Sequence, residues 1–259
     1  MRAAWAGAAM VGCLGLGAVI GFSAGRASGT GRVLGAPARL LHLGPGAGTG
    51  NAVFRVQTGK RLVALTFDDG PDPRWTPTVM QLLRQHHDGA TFFLVGRNAL
   101  ANSELVKAEV DGGFEIGDHT FTHPDLDLLS PSEVQREIAD GAEAIEKAGA
   151  PRPTLFRPPK GLTDDAVGVI ADADEYRTVF WELTLERFVN HSPDTDTAVR
   201  ALLARIRPGT IILAHDGGTP DRSRTLAALP VLLDGLDRLG YRGVSVHDLL
   251  KAGRAVNRR

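Results

Sequence analysis

From Lys60 to the C-terminus, two rhythms of apolar residues alternate. Leu62–Phe67 is a short apolar run with charge before it and Asp-Asp-Gly-Pro after it, which predicts a buried strand. Thr76–His87 places Val79, Leu82 and Leu83 at helical spacing. Ala90–Val95 predicts a second strand ending at Gly96, Leu100–Val110 a helix, and Phe114–Ile116 a third strand. Ser130, Pro131 and Glu133 mark the start of the next helix with a cap, a first-turn proline and a reciprocal glutamate. Val134, Ile138 and Ile145 form its apolar face. The alternation continues with strands at Leu155–Phe156, Arg177–Trp181, Thr210–Leu213 and Gly243–Val246. Between them lie helices at Asp164–Asp172, Thr197–Ile206 and Thr225–Leu239. About seven strand–helix units predict an α/β fold, either a parallel sheet or a closed barrel, in one domain over residues 59–255.

The residues before this domain follow neither rhythm. An uncharged, Gly/Ala-rich apolar run from Ala3 to Gly25 lies between Arg2 and Arg26. It predicts an export segment over residues 1–27, either a cleaved signal peptide or a membrane anchor. Residues 28–58 are rich in Gly, Ala and Pro and read as a linker. A net charge of -1 gives no electrostatic reason to expect nucleic acid. A single cysteine, Cys13, excludes an intrachain disulfide and a CxxC zinc site.

The chemically capable residues fall just after predicted strands. Asp68 and Asp69 follow the first, His119 and His123 the third, Arg157 the fourth, and His215 with Asp216 the sixth. Residues beyond the C-terminal ends of parallel strands converge on one face, where barrel active sites are built. Adjacent carboxylates serve as helix caps as readily as they divide labour, one binding a cation and one acting as a base. Two imidazoles four residues apart can share one metal if they lie on a helical turn, with a carboxylate as third ligand and a position left open for water. His215, leaving the apolar Ile211-Ile212-Leu213-Ala214 run, is either a hydrogen-bonded core histidine or the general acid such a site needs.

Four motifs in order carry a resemblance: Thr66-Phe67-Asp68-Asp69-Gly70, His119-Thr120-Phe121-Thr122-His123, Arg157-Pro158-Pro159 and Leu213-Ala214-His215. Together they resemble the polysaccharide deacetylase family, also called the NodB-homology group or carbohydrate esterase family 4. The resemblance implies a distorted seven-stranded (β/α) barrel, a Zn²⁺ or other divalent ion such as Co²⁺, and removal of acetyl groups from a polysaccharide substrate. By motif, Asp68 is implied as general base, Asp69, His119 and His123 as metal ligands, Arg157 as the residue orienting the base, and His215 as general acid. Pro158, Pro159 and Lys160 are implied at the substrate, Lys160 through its backbone N–H, and Leu213 beside the acetyl methyl.

The chain departs from the family pattern in two places. Lys160 stands where an aromatic residue often follows Arg-Pro-Pro. In Trp181–Phe188, Thr184 and Arg187 occupy the positions where the family carries aspartates, one expected to pair with the motif arginine. Phe188 is the candidate for the groove-wall tryptophan, and Glu182 or Glu186 for the missing carboxylate. The expected activity is N-deacetylation of peptidoglycan or chitin-like chains. An acetyl-xylan esterase and a carbohydrate-binding pseudoenzyme are the alternatives.

Overall fold

The computed structural model describes residues 51–257. The export segment, Cys13 and most of the 28–58 linker lie outside the described residues. Among those described, no helix is long and apolar enough to cross a membrane.

The domain is built on a curled parallel sheet. Its elements in chain order are β1 (Arg55–Gln57), β2 (Leu62–Asp68), α1 (Thr76–Gln85), β3 (Thr91–Leu94), α2 (Gly96–Ala101), α3 (Ser103–Asp111) and β4 (Glu115–Asp118). There follow α4 (Pro131–Lys147), β5 (Leu155–Phe156), α5 (Asp165–Ala173), β6 (Arg177–Thr178), β7 (Leu183–Thr184), α6 (Leu185–Val189) and α7 (Thr195–Leu203). The chain closes with β8 (Ile211–His215), α8 (Ser223–Arg238), β9 (Arg242–Val244), α9 (Val246–Lys251) and β10 (Arg254–Val256). The strand order is β6-β5-β4-β3-β2-β8-β7, with β9 paired to the first half of β2. This is the expected distorted barrel, left open between β6 and β7 at the ends of the path.

The central strand explains why both of its faces are apolar. Val63–Asp68 is buried throughout, as in a parallel sheet covered on both sides. One face meets a cluster containing Phe92, Val79 and Leu229. Residues of the other, such as Ala64, meet a cluster of Phe93, Trp181, Ile211 and Leu213. The predicted capping box of α4 forms, with the Ser130 backbone N–H donating to Glu133 Oε2 at 2.8 Å. The predicted Leu100–Val110 helix is divided at Asn102 into α2 and α3.

The structure moves one boundary. Residues 52–57, read as the end of the linker, are part of the fold. Ala52, Val53, Phe54 and Val56 are buried, and β1 pairs antiparallel with β10. Val53 bridges to Val179 just after β6, and Arg55 to Thr210 just before β8. Phe54 stacks on Phe180 with ring centroids 4.6 Å apart. These residues fasten the open side of the sheet.

Candidate active site

Register places the site. Asp68 at the end of β2 lies opposite His215 at the end of β8 on one side and Phe93 on the other. His119 follows β4 directly and Arg157 follows β5, with the Arg157 backbone N–H bonded to the Asp118 carbonyl at 2.9 Å. Four parallel strand ends thereby bring Asp68, Asp69, His119, Arg157 and His215 to one rim.

Asp69, His119 and His123 offer ligand atoms all within 4.8 Å of one another. Asp69 Oδ1 lies 3.2 Å from His123 Nε2 and 3.7 Å from His119 Nε2, separations that a tetrahedral ion with ligands near 2 Å spans. The imidazoles do not share a helical turn, as the spacing suggested. They sit on an irregular loop in which Thr120 (φ 68°) and His123 (φ 63°) are left-handed, and this bend faces the rings together with centroids 4.9 Å apart. His119 Nδ1 is 2.7 Å from the Arg157 carbonyl, so that nitrogen donates and Nε2 keeps its lone pair. Burial, with His123 nearby, pushes the His119 pKa down to about 3, which holds the ring neutral as a ligand must be. The donor set fits a divalent cation.

Asp68 is held differently. Arg157 Nη1 donates to its Oδ1 at 2.7 Å and to Thr66 Oγ1 at 2.9 Å. The same guanidinium donates from Nε to the Val179 carbonyl at 3.0 Å and from Nη2 to the Phe180 carbonyl at 3.2 Å. Fully buried, it also lies 4.1 Å from the centre of the Phe93 ring. Burial pulls the Arg157 pKa below its ordinary value, against the opposing pull of Asp68. Among the described residues, Asp68 is the carboxylate that Arg157 pairs with. The backbone after β6 does the work the sequence reading gave to an aspartate.

Behind the Asp-Asp loop, Asp216 is fully buried and accepts from Thr76 Oγ1 at 2.5 Å. Burial pushes its pKa up to about 7. Gly70 is obligatory at this point: a Cβ there would lie 2.6 Å from Asp216 Oδ1.

Comparison with known proteins bears on this arrangement. Residues 55–179 match the model of the family described as polysaccharide deacetylase. A peptidoglycan-N-acetylglucosamine deacetylase of Bacillus cereus is 40% identical over 203 residues, 78% of this chain and 94% of that protein. The chain belongs to the polysaccharide deacetylase family. The crystal structure of a peptidoglycan N-acetylglucosamine deacetylase superposes with a TM-score of 0.72 at 30% identity, covering 81% of this chain and 95% of that one. A family 4 carbohydrate esterase pseudoenzyme from Bacillus anthracis superposes with a TM-score of 0.69 at 30% identity, covering 77% and 68%.

Within the deacetylase frame, the altered Trp181–Phe188 segment finds its place. Glu186 Oε1 accepts the His215 backbone N–H at 3.0 Å and the Thr225 hydroxyl at 3.0 Å. It also lies 3.2 Å from His215 Nδ1, within ion-pair range although off the line of a good hydrogen bond. Burial opposes the His215 cation, but Glu186, Asp68 and Asp69 outweigh it and raise its pKa. Glu186 is lowered in turn: burial opposes its charge, while His215 and Thr225 favour it. Glu186 therefore supplies the replacement carboxylate, and supplies it to His215 rather than to Arg157. Glu182 pairs with Arg207 instead.

Phe188 is not a groove wall. It is buried in the main core, with the Arg205 guanidinium 5.0 Å over its ring. Trp181, in the same segment, is one of two aromatic residues beside Arg157: it packs with Phe93 and Leu213 in the second apolar cluster and lies 5.4 Å from the guanidinium. Pro158 and Pro159 are buried at the rim. Lys160, left-handed at φ 57°, turns outward and donates from Nζ to Asp125 Oδ1 at 2.5 Å.

The Glu186–His215 pair makes a prediction for pH dependence. If His215 is the general acid, it must be protonated to act, and the carboxylate keeps it protonated to higher pH. Glu186→Gln removes that support, so the alkaline limb of the kcat profile should move to lower pH while the acidic limb stays. A pH–rate profile of both proteins tests it, and an unmoved alkaline limb would deny Glu186 this role.

Proposed function

We propose that this chain hydrolyses the N-acetyl groups of amino-sugar polysaccharide, with peptidoglycan N-acetylglucosamine as the preferred substrate. The observation that carries the reading is the division of the Asp68-Asp69 pair. Asp69 faces two imidazoles, while Asp68 is clasped by Arg157 and stands beside His215 across the β2–β8 ladder.

Asp69, His119 and His123 would hold a divalent ion, which would supply Lewis acidity at the acetyl carbonyl; two imidazoles with one carboxylate suit zinc, with Co²⁺ as a substitute. The chain's own groups do the rest. Asp68 removes a proton from the attacking water, with Arg157 fixing the carboxylate so that Oδ2 points toward His119, 3.7 Å away. The Lys160 backbone N–H donates to the developing oxyanion. His215, raised by Glu186, gives its proton to the leaving nitrogen, which departs poorly as an anion. Leu213 lies against the acetyl methyl. Pro158 and Pro159 support the sugar.

The uncharged run Ala3–Gly25 supports export, with the catalytic domain outside the cytoplasm either released or anchored in the membrane. Peptidoglycan would be met there.

The test is acetate release by the full chain from N-acetylglucosamine oligomers and from peptidoglycan, with chelator and with Zn²⁺ or Co²⁺ restored. Chelator-sensitive release, recovered on restoring the ion, is expected. Release from acetylated xylan alone would make the chain an esterase. Absence of release from every substrate, with an ion bound, would make it a glycan-binding pseudoenzyme.

A further inference from the structure

We propose that Arg222 is a positioning residue for the metal site, holding Asp69 so that a single oxygen faces the two imidazoles. It lies in the loop between β8 and α8, beyond the motif residues, and carries none of the roles assigned above. Its Nη2 donates to Asp69 Oδ2 at 3.0 Å, while Oδ1 is the oxygen turned toward His123 and His119. The guanidinium is itself fixed, with Nε donating to the Gly217 carbonyl at 2.8 Å and Nη2 to the Thr219 carbonyl at 3.4 Å. Arg222 is only 5% exposed, so these bonds form away from bulk water.

The rest of Asp69 is equally constrained. Its backbone is left-handed at φ 73°, and its carbonyl accepts from Asn98 Nδ2 at 2.9 Å. The remaining freedom is rotation of the carboxylate, and Arg222 removes it. A carboxylate with both oxygens free can bind an ion through either or both. One whose outer oxygen is engaged binds through the inner oxygen, leaving a coordination position for water or substrate. The arrangement also gives each member of the adjacent pair its own guanidinium, Arg157 for Asp68 and Arg222 for Asp69. Mutual repulsion between the carboxylates is thereby offset before any cation enters.

Two effects compete when Arg222 is replaced. Removing a positive charge near the ion favours binding, and losing the orientation of a ligand disfavours it. Outer-shell partners of metal ligands typically contribute about 10- to 100-fold in affinity, so orientation is the larger effect.

The inference rests on the metal reading of the site, and the experiment separates the two. Zn²⁺ affinity of the full chain is measured by competition with a chromophoric chelator for wild type, Arg222→Met and Arg222→Lys. Circular dichroism checks that each variant folds without the ion. Arg222→Met is expected to bind Zn²⁺ about tenfold or more weakly. Arg222→Lys, which keeps the charge but not the fork, should fall between. Wild-type affinity in Arg222→Met overturns the inference. If Arg222→Met does not fold, wild-type affinity in Arg222→Lys overturns it instead. Failure of the wild-type chain to bind Zn²⁺ would remove the metal reading itself.

Discussion

Asp68→Asn is expected to lower kcat by about 10³-fold, within the range that positioned proton transfer supplies, while Zn²⁺ affinity stays within a few-fold of wild type. The asymmetry follows from how the two neighbouring aspartates are held. Asp69 carries the contacts with His119 and His123, and Asp68 carries the contact with Arg157. Asparagine keeps the shape of Asp68 and can still accept from Arg157, but it cannot take a proton from water. Initial rates of acetate release and a Zn²⁺ titration on the same preparation measure both halves. A variant that keeps a tenth or more of wild-type kcat would place the base elsewhere. One that loses the ion as well would make Asp68 a ligand.

Replacement of Arg157 should act on the fold as much as on the reaction. Arg157→Met removes four hydrogen bonds at once, to Asp68, Thr66 and the carbonyls of Val179 and Phe180. It also leaves the Asp68 carboxylate, 3% exposed, without its guanidinium. Breaking a buried ion pair from one side costs about 3–5 kcal/mol, because the remaining charge cannot recover its hydration. Methionine fills much of the volume, so the loss comes from electrostatics and hydrogen bonding more than from a cavity. Urea unfolding of the two proteins measures it. The double variant Asp68→Asn/Arg157→Met should be less destabilised than the sum of the singles, since neither buried charge then remains. A cost below about 1 kcal/mol for Arg157→Met would mean that water reaches the pair.

The sequence displayed these residues unequally. The two-residue strand Leu155–Phe156 and the capping box at Ser130 were legible because their signals are local: an apolar pair among turn formers, and a cap with its reciprocal glutamate. The candidate metal trio Asp69, His119 and His123 was legible as a motif, but its geometry was not. A spacing of four suggested a helical turn, and the chain reached the same convergence through left-handed Thr120 and His123. Phe188 resembled a groove wall because it is aromatic and correctly spaced, yet helical periodicity in α6 turns it into the core. Partner choice was hidden altogether. Glu186 meets His215 only because β7 and α6 pack beside β8, and Arg222 meets Asp69 across 153 residues of chain. An arginine between Gly-Gly-Thr-Pro-Asp and Ser reads as solvent-exposed, and no periodicity says otherwise.

The short segment before Lys60 sets the practical limits of the catalytic unit. Nothing in its Gly/Ala-rich surroundings marks it as structural, yet it joins the first and last strands of the domain and covers Phe180, whose carbonyl is one of the groups gripping Arg157. A fragment trimmed at Thr58 would strip β10 of its partner and uncover the backbone that holds Arg157 against Asp68. The grip on Asp68 thus begins more than ten residues upstream of the first recognisable motif, and a catalytic fragment is expected to keep its fold only if it includes Ala52.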